Sequence, residues 1–164
     1  MSFATLGLDP RILSAVTAQG YHTPTPIQQQ TIPVILEGKD VLAGAQTGTG
    51  KTAAFTLPVL QLLSKNTSKV NNLQVRCLVL TPTRELAQQV ADNIAAYARH
   101  LPLKTAVFYG GVSINPQLDA ADGGLDMLIA TPGRLLDHLH QGTLSLFQLE
   151  VLVLDEADRM LDMG

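Results

Sequence analysis

Ala45-Gln46-Thr47-Gly48-Thr49-Gly50-Lys51-Thr52 places two glycines, an ammonium and a hydroxyl in one short run. Glycines let backbone N–H groups turn inward around phosphate oxygens. The lysine then reaches β- and γ-phosphates, the Thr52 hydroxyl ligates Mg²⁺, and a following helix adds the positive end of its dipole. The run matches the phosphate loop G-x-x-x-x-G-K-[ST], with Ala45 at the first glycine. Its plainer reading is a glycine-rich turn that opens a helix. Further along, the apolar run Val151 to Leu154 ends in Asp155-Glu156. Asp155 would hold Mg²⁺ through water, and Glu156 would orient and deprotonate the water that attacks a γ-phosphate. Two acids at a helix start could instead merely favour its dipole.

Two further elements share a layout: Thr81-Pro82-Thr83-Arg84 and Thr131-Pro132-Gly133-Arg134. In each, threonine can cap a helix and proline fits its first turn, leaving N–H groups and an arginine facing outward. That makes a phosphate-binding corner; the alternative is two ordinary capped helices with solvated or locally ion-paired arginines. Gly110-Gly111 adds a place where another backbone can come close. Together these suit successive phosphates of an extended strand, contacts that position without reading sequence. Near the N-terminus, Tyr21 and Gln28 flank a proline-stiffened turn. A glutamine amide pairs a donor with an acceptor, as the adenine edge requires, and tyrosine can stack on a base. A capped helix with a surface glutamine and a packing tyrosine is the competing account.

These residues need a frame, and apolar runs supply it: Val41–Ala43, Cys77–Leu80, Ala106–Phe108, Met127–Ala130 and Val151–Leu154. Each is continuous rather than alternating, the signature of strands buried on both faces of a parallel sheet. Helices are expected between and before them. Asp9-Pro10 opens the first, which Gly20 closes. Thr25-Pro26 opens the second, which Gly38 ends, with a kink or an early stop at Pro33. The others follow Gly50-Lys51-Thr52, run from Glu85 to Arg99, and run from Arg134 to His140. Ser64 to Asn72 reads as a polar surface loop. Strand–helix alternation implies an α/β fold, a doubly wound sheet with right-handed crossovers. Every strand then runs into one of the motifs above, on the edge where open α/β sheets bind ligands.

The composition excludes several classes. The 164 residues suffice for one domain with a sizeable core. No apolar run approaches the roughly 20 residues that span a bilayer, and the N-terminus lacks the pattern of a signal peptide. The net charge of −3 argues against a generic nucleic-acid-coating protein, so any such site must be local. Cys77 is the single cysteine, which rules out a disulfide framework and suits a reducing, cytoplasmic setting. His22, His100, His138 and His140 read as solvated or packing residues rather than a metal set.

Over essentially its whole length the sequence resembles DEAD-box ATP-dependent RNA helicases of superfamily 2. The Q motif resembles Gly20 to Gln28, with an upstream aromatic at Phe3. Motif I, A-x-T-G-x-G-K-T, matches Ala45 to Thr52, so Ala45 is the family's form. Motif Ia matches Pro82 to Ala87, the GG element Gly110-Gly111, motif Ib Thr131 to Arg134, and motif II Asp155 to Asp158. The resemblance implies a RecA-like P-loop fold, mostly parallel, with helices on both sheet faces. It implies a Q-motif region over 1–38 and an ATP-binding domain over 39–164. Tyr21, Gln28 and the phosphate loop would bind ATP with Mg²⁺. Thr83, Arg84, Gly110, Gly111, Thr131, Gly133 and Arg134, with Pro82 and Pro132 in the same corners, would lie along an RNA backbone. ATP hydrolysis would be coupled to local RNA unwinding between two RecA-like domains.

Family members continue into a Ser-Ala-Thr motif and a second domain that supplies charge-stabilising arginines. None of Arg11, Arg76, Arg84, Arg99, Arg134 or Arg159 resembles such a finger. The isolated chain is therefore expected to be nearly inactive. It is also expected to have a gap between the phosphate-loop strand and the Asp155 strand, leaving it unstable, rearranged or paired with another chain. A non-catalytic ATP- or RNA-binding module is the alternative function. An unrelated P-loop transporter or GTPase is a third, opposed by Tyr21 to Gln28 and by the twin corners.

Overall fold

The computed structural model describes residues 2–38, 49–65 and 70–156. They fall into two compact units, one of residues 1–67 with 92–102 and one of 68–91 with 103–164.

The first unit is helical. After a 3-10 turn at Phe3–Leu6, α1 spans Pro10–Ala18, α2 Pro26–Leu36 and α3 Thr49–Lys65. Asp9 caps α1, its carboxylate accepting the Arg11 N–H at 2.8 Å, with Pro10 in the first turn. Gly20, at φ +83°, follows the end of α1. Ile12, Ala15, Val16, Ile32, Leu57, Leu60 and Leu63 are buried and make the core of this unit. Gln61 of α3 is buried too, and its amide accepts from Asp9 N–H and donates to the Gly7 carbonyl, tying the N-terminal segment to that helix. The early stop at Pro33 does not occur. The α2 helix passes through Pro33 to Leu36, because Glu37 N–H still reaches the Pro33 carbonyl at 3.2 Å and closes the last turn. Similarly, α3 includes Ser64 and Lys65, so the polar segment starts two residues later than its composition suggests.

The second unit holds the sheet. Its strands are β1 (Val75–Leu80), β2 (Thr105–Phe108), β3 (Leu125–Ala130) and β4 (Val151–Leu154), all parallel, in the order β2-β3-β1-β4. Along β1, Val75 to Val79 are all buried, and so are Leu125 and Met127 to Ala130 of β3. This double-faced burial is what continuous apolar runs require. Between strands come α4 (Arg84–Tyr97), whose residues from Asp92 on belong to the first unit, α5 (Asn115–Ala121) and α6 (Pro132–Gln141). Ala87, Val90, Ile94 and Tyr97 make the buried stripe of α4 at helical spacing. Leu78, Phe108, Leu125, Leu128, Leu135 and Leu144 pack into one core cluster. Cys77 is fully buried, and that burial pushes its thiol up to about 12. Among the described strands, β4 ends the order and pairs with β1 alone. The strand expected at Val41–Ala43, and with it the expected gap beside β4, lies outside the described residues.

Both β1 and β3 begin two residues before their apolar runs, and charged residues explain why. Arg76 in β1 is 3 % exposed; its Nε donates to Glu150 at 2.7 Å and its Nη1 to Asp126 of β3 at 3.0 Å. Removing the guanidinium strands two carboxylates that are only partly solvated, although Asp126 keeps the Lys104 N–H at 2.8 Å. Arg76→Met is therefore expected to destabilise by about 2 kcal/mol, less than a fully buried pair would. Urea unfolding followed by circular dichroism measures this directly; an unchanged midpoint would show that the triad contributes nothing.

Candidate functional site

Sheet register puts the strand ends in one row. Leu80 faces Ala130 on one side and Leu154 on the other, and Phe108 faces Ala130. The ladder continues one residue past the strands: Thr131 N–H donates to Phe108 O at 3.1 Å, Thr81 N–H to Ala130 O at 3.0 Å, and Asp155 N–H to Leu80 O at 2.9 Å. The four strand tips thus lie along one edge, spread over three strand spacings or about 14 Å. The fifth expected tip, the phosphate loop at Ala45, Gln46, Thr47 and Gly48, lies outside the described residues, as do Ala157 and Asp158 of the acidic motif.

At the β4 end, Asp155 is 6 % exposed. Glu156 adopts φ +54°, the left-handed region that costs a residue with a Cβ about 1–2 kcal/mol. Its Oε2 is buried and accepts no hydrogen bond among the described residues. Strain and an orphaned carboxylate oxygen thus coincide at the residue assigned to water activation, a combination characteristic of functional positions.

The twin corners differ in detail. Helix α6 follows the expected pattern, with Thr131 at the N-cap and Pro132 in the first turn, although the Thr131 side chain makes no capping bond. In the other corner Thr83 is the cap, its Oγ1 accepting Leu86 N–H at 3.3 Å, and Pro82 stands outside the helix. Thr81 is instead buried, its hydroxyl 3.4 Å from the Thr83 carbonyl.

Both arginines converge on the Gly110-Gly111 turn. Arg84 is exposed, and its guanidinium carbon lies 5.6 Å from the Tyr109 ring centroid, a cation–π contact. The Tyr109 hydroxyl donates to Gln88 Oε1 of α4 at 3.0 Å. The Arg134 side chain is only 11 % exposed. Its Nη1 donates to Gln117 Oε1 at 3.1 Å and its Nη2 to Val112 O at 3.0 Å. Its Nε is buried, 3.6 Å from Asp137, without a hydrogen bond among the described residues. Gly111 sits at φ +80°, and a Cβ there would stand 3.2 Å from Arg84 Nη1. Gly111→Ala is expected to cost about 1–2 kcal/mol in stability and to push Arg84 off the ring. A urea midpoint equal to that of the parent would contradict this.

In the helical unit, Thr25 and Gln28 form a reciprocal capping box: Gln28 Oε1 accepts Thr25 N–H at 2.8 Å, and Thr25 Oγ1 accepts Gln28 N–H at 3.4 Å. Gln28 is 2 % exposed, not a surface glutamine. Tyr21 packs against Tyr97, ring centroids 6.5 Å apart at 47°. Thr49 and Gly50 begin α3, and Lys51 and Thr52 follow in its first turn, both half-buried. Among the described residues no cluster of three or more His, Cys, Asp or Glu could hold a metal, and no helix is long and apolar enough to cross a membrane. Sequence reasoning missed Gln117, His138, Tyr109 and Gln88. Only Tyr109 carried a signal, its place directly before Gly110-Gly111.

Known proteins match this arrangement. A family profile described as DEAD/DEAH box helicase matches residues 25–164. The DEAD-box ATP-dependent RNA helicase RhpA of Helicobacter pylori is 48% identical over 163 residues, covering 99% of this chain and 32% of the relative. The ATP-dependent RNA helicase DeaD of Escherichia coli K12 is 49% identical over 164 residues, covering 99% and 25%. A crystal structure described as a hypothetical ATP-dependent RNA helicase from Sulfolobus tokodaii superposes with a TM-score of 0.85 at 39% identity, over 96% of this chain and 44% of that one. The chain thus spans about a third or less of the length of these two curated relatives. With a matching profile over most of its residues, a parallel α/β sheet of the same architecture and the motif-bearing strand tips on one edge, the chain belongs to the DEAD/DEAH box helicase family.

Proposed function

We propose that this chain is the ATP- and RNA-binding part of an ATP-dependent RNA helicase, one that hydrolyses ATP to separate short RNA duplexes when a second RecA-like domain closes on it. The observation that carries the reading is the hydrogen-bonded row of Thr131, Thr81 and Asp155, which sets the acid pair on the same sheet edge as both arginine corners. In this reading Lys51 binds the β- and γ-phosphates, and Tyr21 and Gln28 select adenine. Thr52 and Asp155 offer a hydroxyl and a carboxylate, the hard oxygen donors that Mg²⁺ takes, and the ion would neutralise phosphate charge. Glu156 activates water. Thr83, Arg84, Gly110, Gly111, Thr131, Gly133 and Arg134 line the RNA backbone. The reducing cytoplasm suits a chain whose single thiol is buried.

Titration calorimetry with Mg²⁺-ATP and Mg²⁺-GTP, beside anisotropy of fluorescein-labelled single-stranded RNA, tests the reading. ATP should bind more tightly than GTP, and RNA should bind through its backbone with little sequence preference. Equal ATP and GTP affinities, or no RNA binding at low salt, would sink it. ATP and RNA binding without turnover in the full-length helicase would establish the non-catalytic module instead.

A further inference from the structure

We propose that Gln117 is a positioning residue for RNA binding, which with His138 locks the Arg134 guanidinium and the Gly110-Gly111 turn into one arrangement. The inference rests on the RNA reading of this sheet edge and adds residues that lie in none of its motifs.

Gln117, on α5, is 7 % exposed and fully engaged. Its Nε2 donates to the Tyr109 carbonyl at 3.0 Å, and its Oε1 accepts from Arg134 Nη1 at 3.1 Å. A guanidinium can only donate and a carbonyl can only accept, so the amide has a single workable orientation; turned over, it would set donor against donor and acceptor against acceptor. The second lone pair of Oε1 lies 2.9 Å from His138 Nε2, which must therefore carry its proton and donate. His138 is fully buried, stacked on Phe108 with centroids 4.7 Å apart, and its Nδ1 is 2.8 Å from Thr143 Oγ1. Burial, and then the charge of Arg134, hold the imidazole below its ordinary range, which keeps it a neutral Nε2 donor.

The consequence is geometric. Arg134 grips the loop at the Val112 carbonyl, while Gln117 grips it at the Tyr109 carbonyl, so the turn is held on both sides of its glycines. The Tyr109 ring beneath Arg84 is anchored through the same residue. Gln117 thus links two arginines of the proposed RNA track without itself facing solvent. Its amide could not be replaced by an apolar group without leaving the Tyr109 carbonyl, an arginine donor and His138 Nε2–H unsatisfied together.

The test compares Gln117→Met, Gln117→Glu, Arg84→Ala, Arg134→Ala and the Gln117→Met/Arg134→Ala double variant in the full chain. Anisotropy with labelled single-stranded RNA gives RNA affinity, a fluorescent ATP analogue gives nucleotide affinity, and circular dichroism confirms folding. Gln117→Met should weaken RNA about tenfold while nucleotide affinity stays within about twofold, and the double variant should bind no worse than Arg134→Ala. Gln117→Glu keeps the acceptor for Arg134 and His138 but sets a carboxylate oxygen against the Tyr109 carbonyl, so RNA should bind about threefold more weakly than native, a smaller loss than in Gln117→Met. Native RNA affinity in Gln117→Met, or additive losses in the double variant, would overturn the positioning role. Should Gln117→Met not fold, Gln117→Glu decides: RNA binding weakened about threefold or more with nucleotide affinity unchanged supports the proposal, and native RNA affinity overturns it. If Arg84→Ala and Arg134→Ala both leave RNA binding untouched, it is the RNA reading of this edge that fails.

Discussion

In the proposed full-length helicase, Glu156→Gln is expected to lower ATP turnover by roughly 10²- to 10⁴-fold, the range for loss of a general base, while ATP affinity stays within about twofold. Glutamine has the same length and can still hydrogen-bond water, but it cannot take the proton. Glu156 occupies the left-handed region at φ +54°, with one carboxylate oxygen buried and without a hydrogen bond among the described residues. A residue kept in such a state contributes little to the fold by itself. Glu156→Gly should therefore abolish turnover with a melting temperature equal to or above native, since glycine adopts positive φ without a Cβ clash and removes the orphaned oxygen. Turnover by Glu156→Gln at a tenth of native or better would remove Glu156 from the role of base. A sharply lower melting temperature in Glu156→Gly would mean that the residue is structural.

The frame of this site was legible because a short apolar run without alternation has no polar face to turn to water, so it belongs in the middle of a covered sheet. All four described strands fall on such runs, and the motifs stand at their C-terminal ends, but the double-faced burial is seen in β1 and β3 and not in β4, which ends the described order with Leu152 53% and Leu154 50% exposed. What composition could not reveal is pairing at a distance. Arg76 and Asp126 look like interruptions of β1 and β3 until the sheet brings them 3.0 Å apart. Helix α5 escaped notice because its seven residues carry no apolar period, only the Asn115-Pro116 start. The capping role of Gln28 was readable from Thr25 three residues before it, yet its burial was not. The Gln117 network is invisible in the letters for the same reason as the Arg76 triad: its bonds join residues 8 to 21 positions apart, and those of Arg76 join residues 50 and 74 positions apart.

Lys51→Ala is expected to weaken ATP binding by roughly 10- to 100-fold, the loss of a charge-assisted hydrogen bond to phosphate, and to leave RNA affinity within about twofold. Lys51 stands in the first turn of α3, where the positive end of the helix dipole and the first free N–H groups favour phosphate oxygens. Leu57, Leu60 and Leu63 bury the inner face of α3, and Gln61 ties it to the N-terminal segment. The melting temperature of Lys51→Ala without nucleotide should therefore stay within a few degrees of native, while the stabilisation that ATP confers on the native chain should vanish. Lys51→Arg separates charge from shape. A planar fork cannot reproduce a compact ammonium inside a loop of backbone N–H groups, so it should recover less than half of the lost binding energy. Undiminished thermal stabilisation by Mg²⁺-ATP in Lys51→Ala would show that the nucleotide binds elsewhere, and the roles given to Thr52 and Asp155 would fall with it.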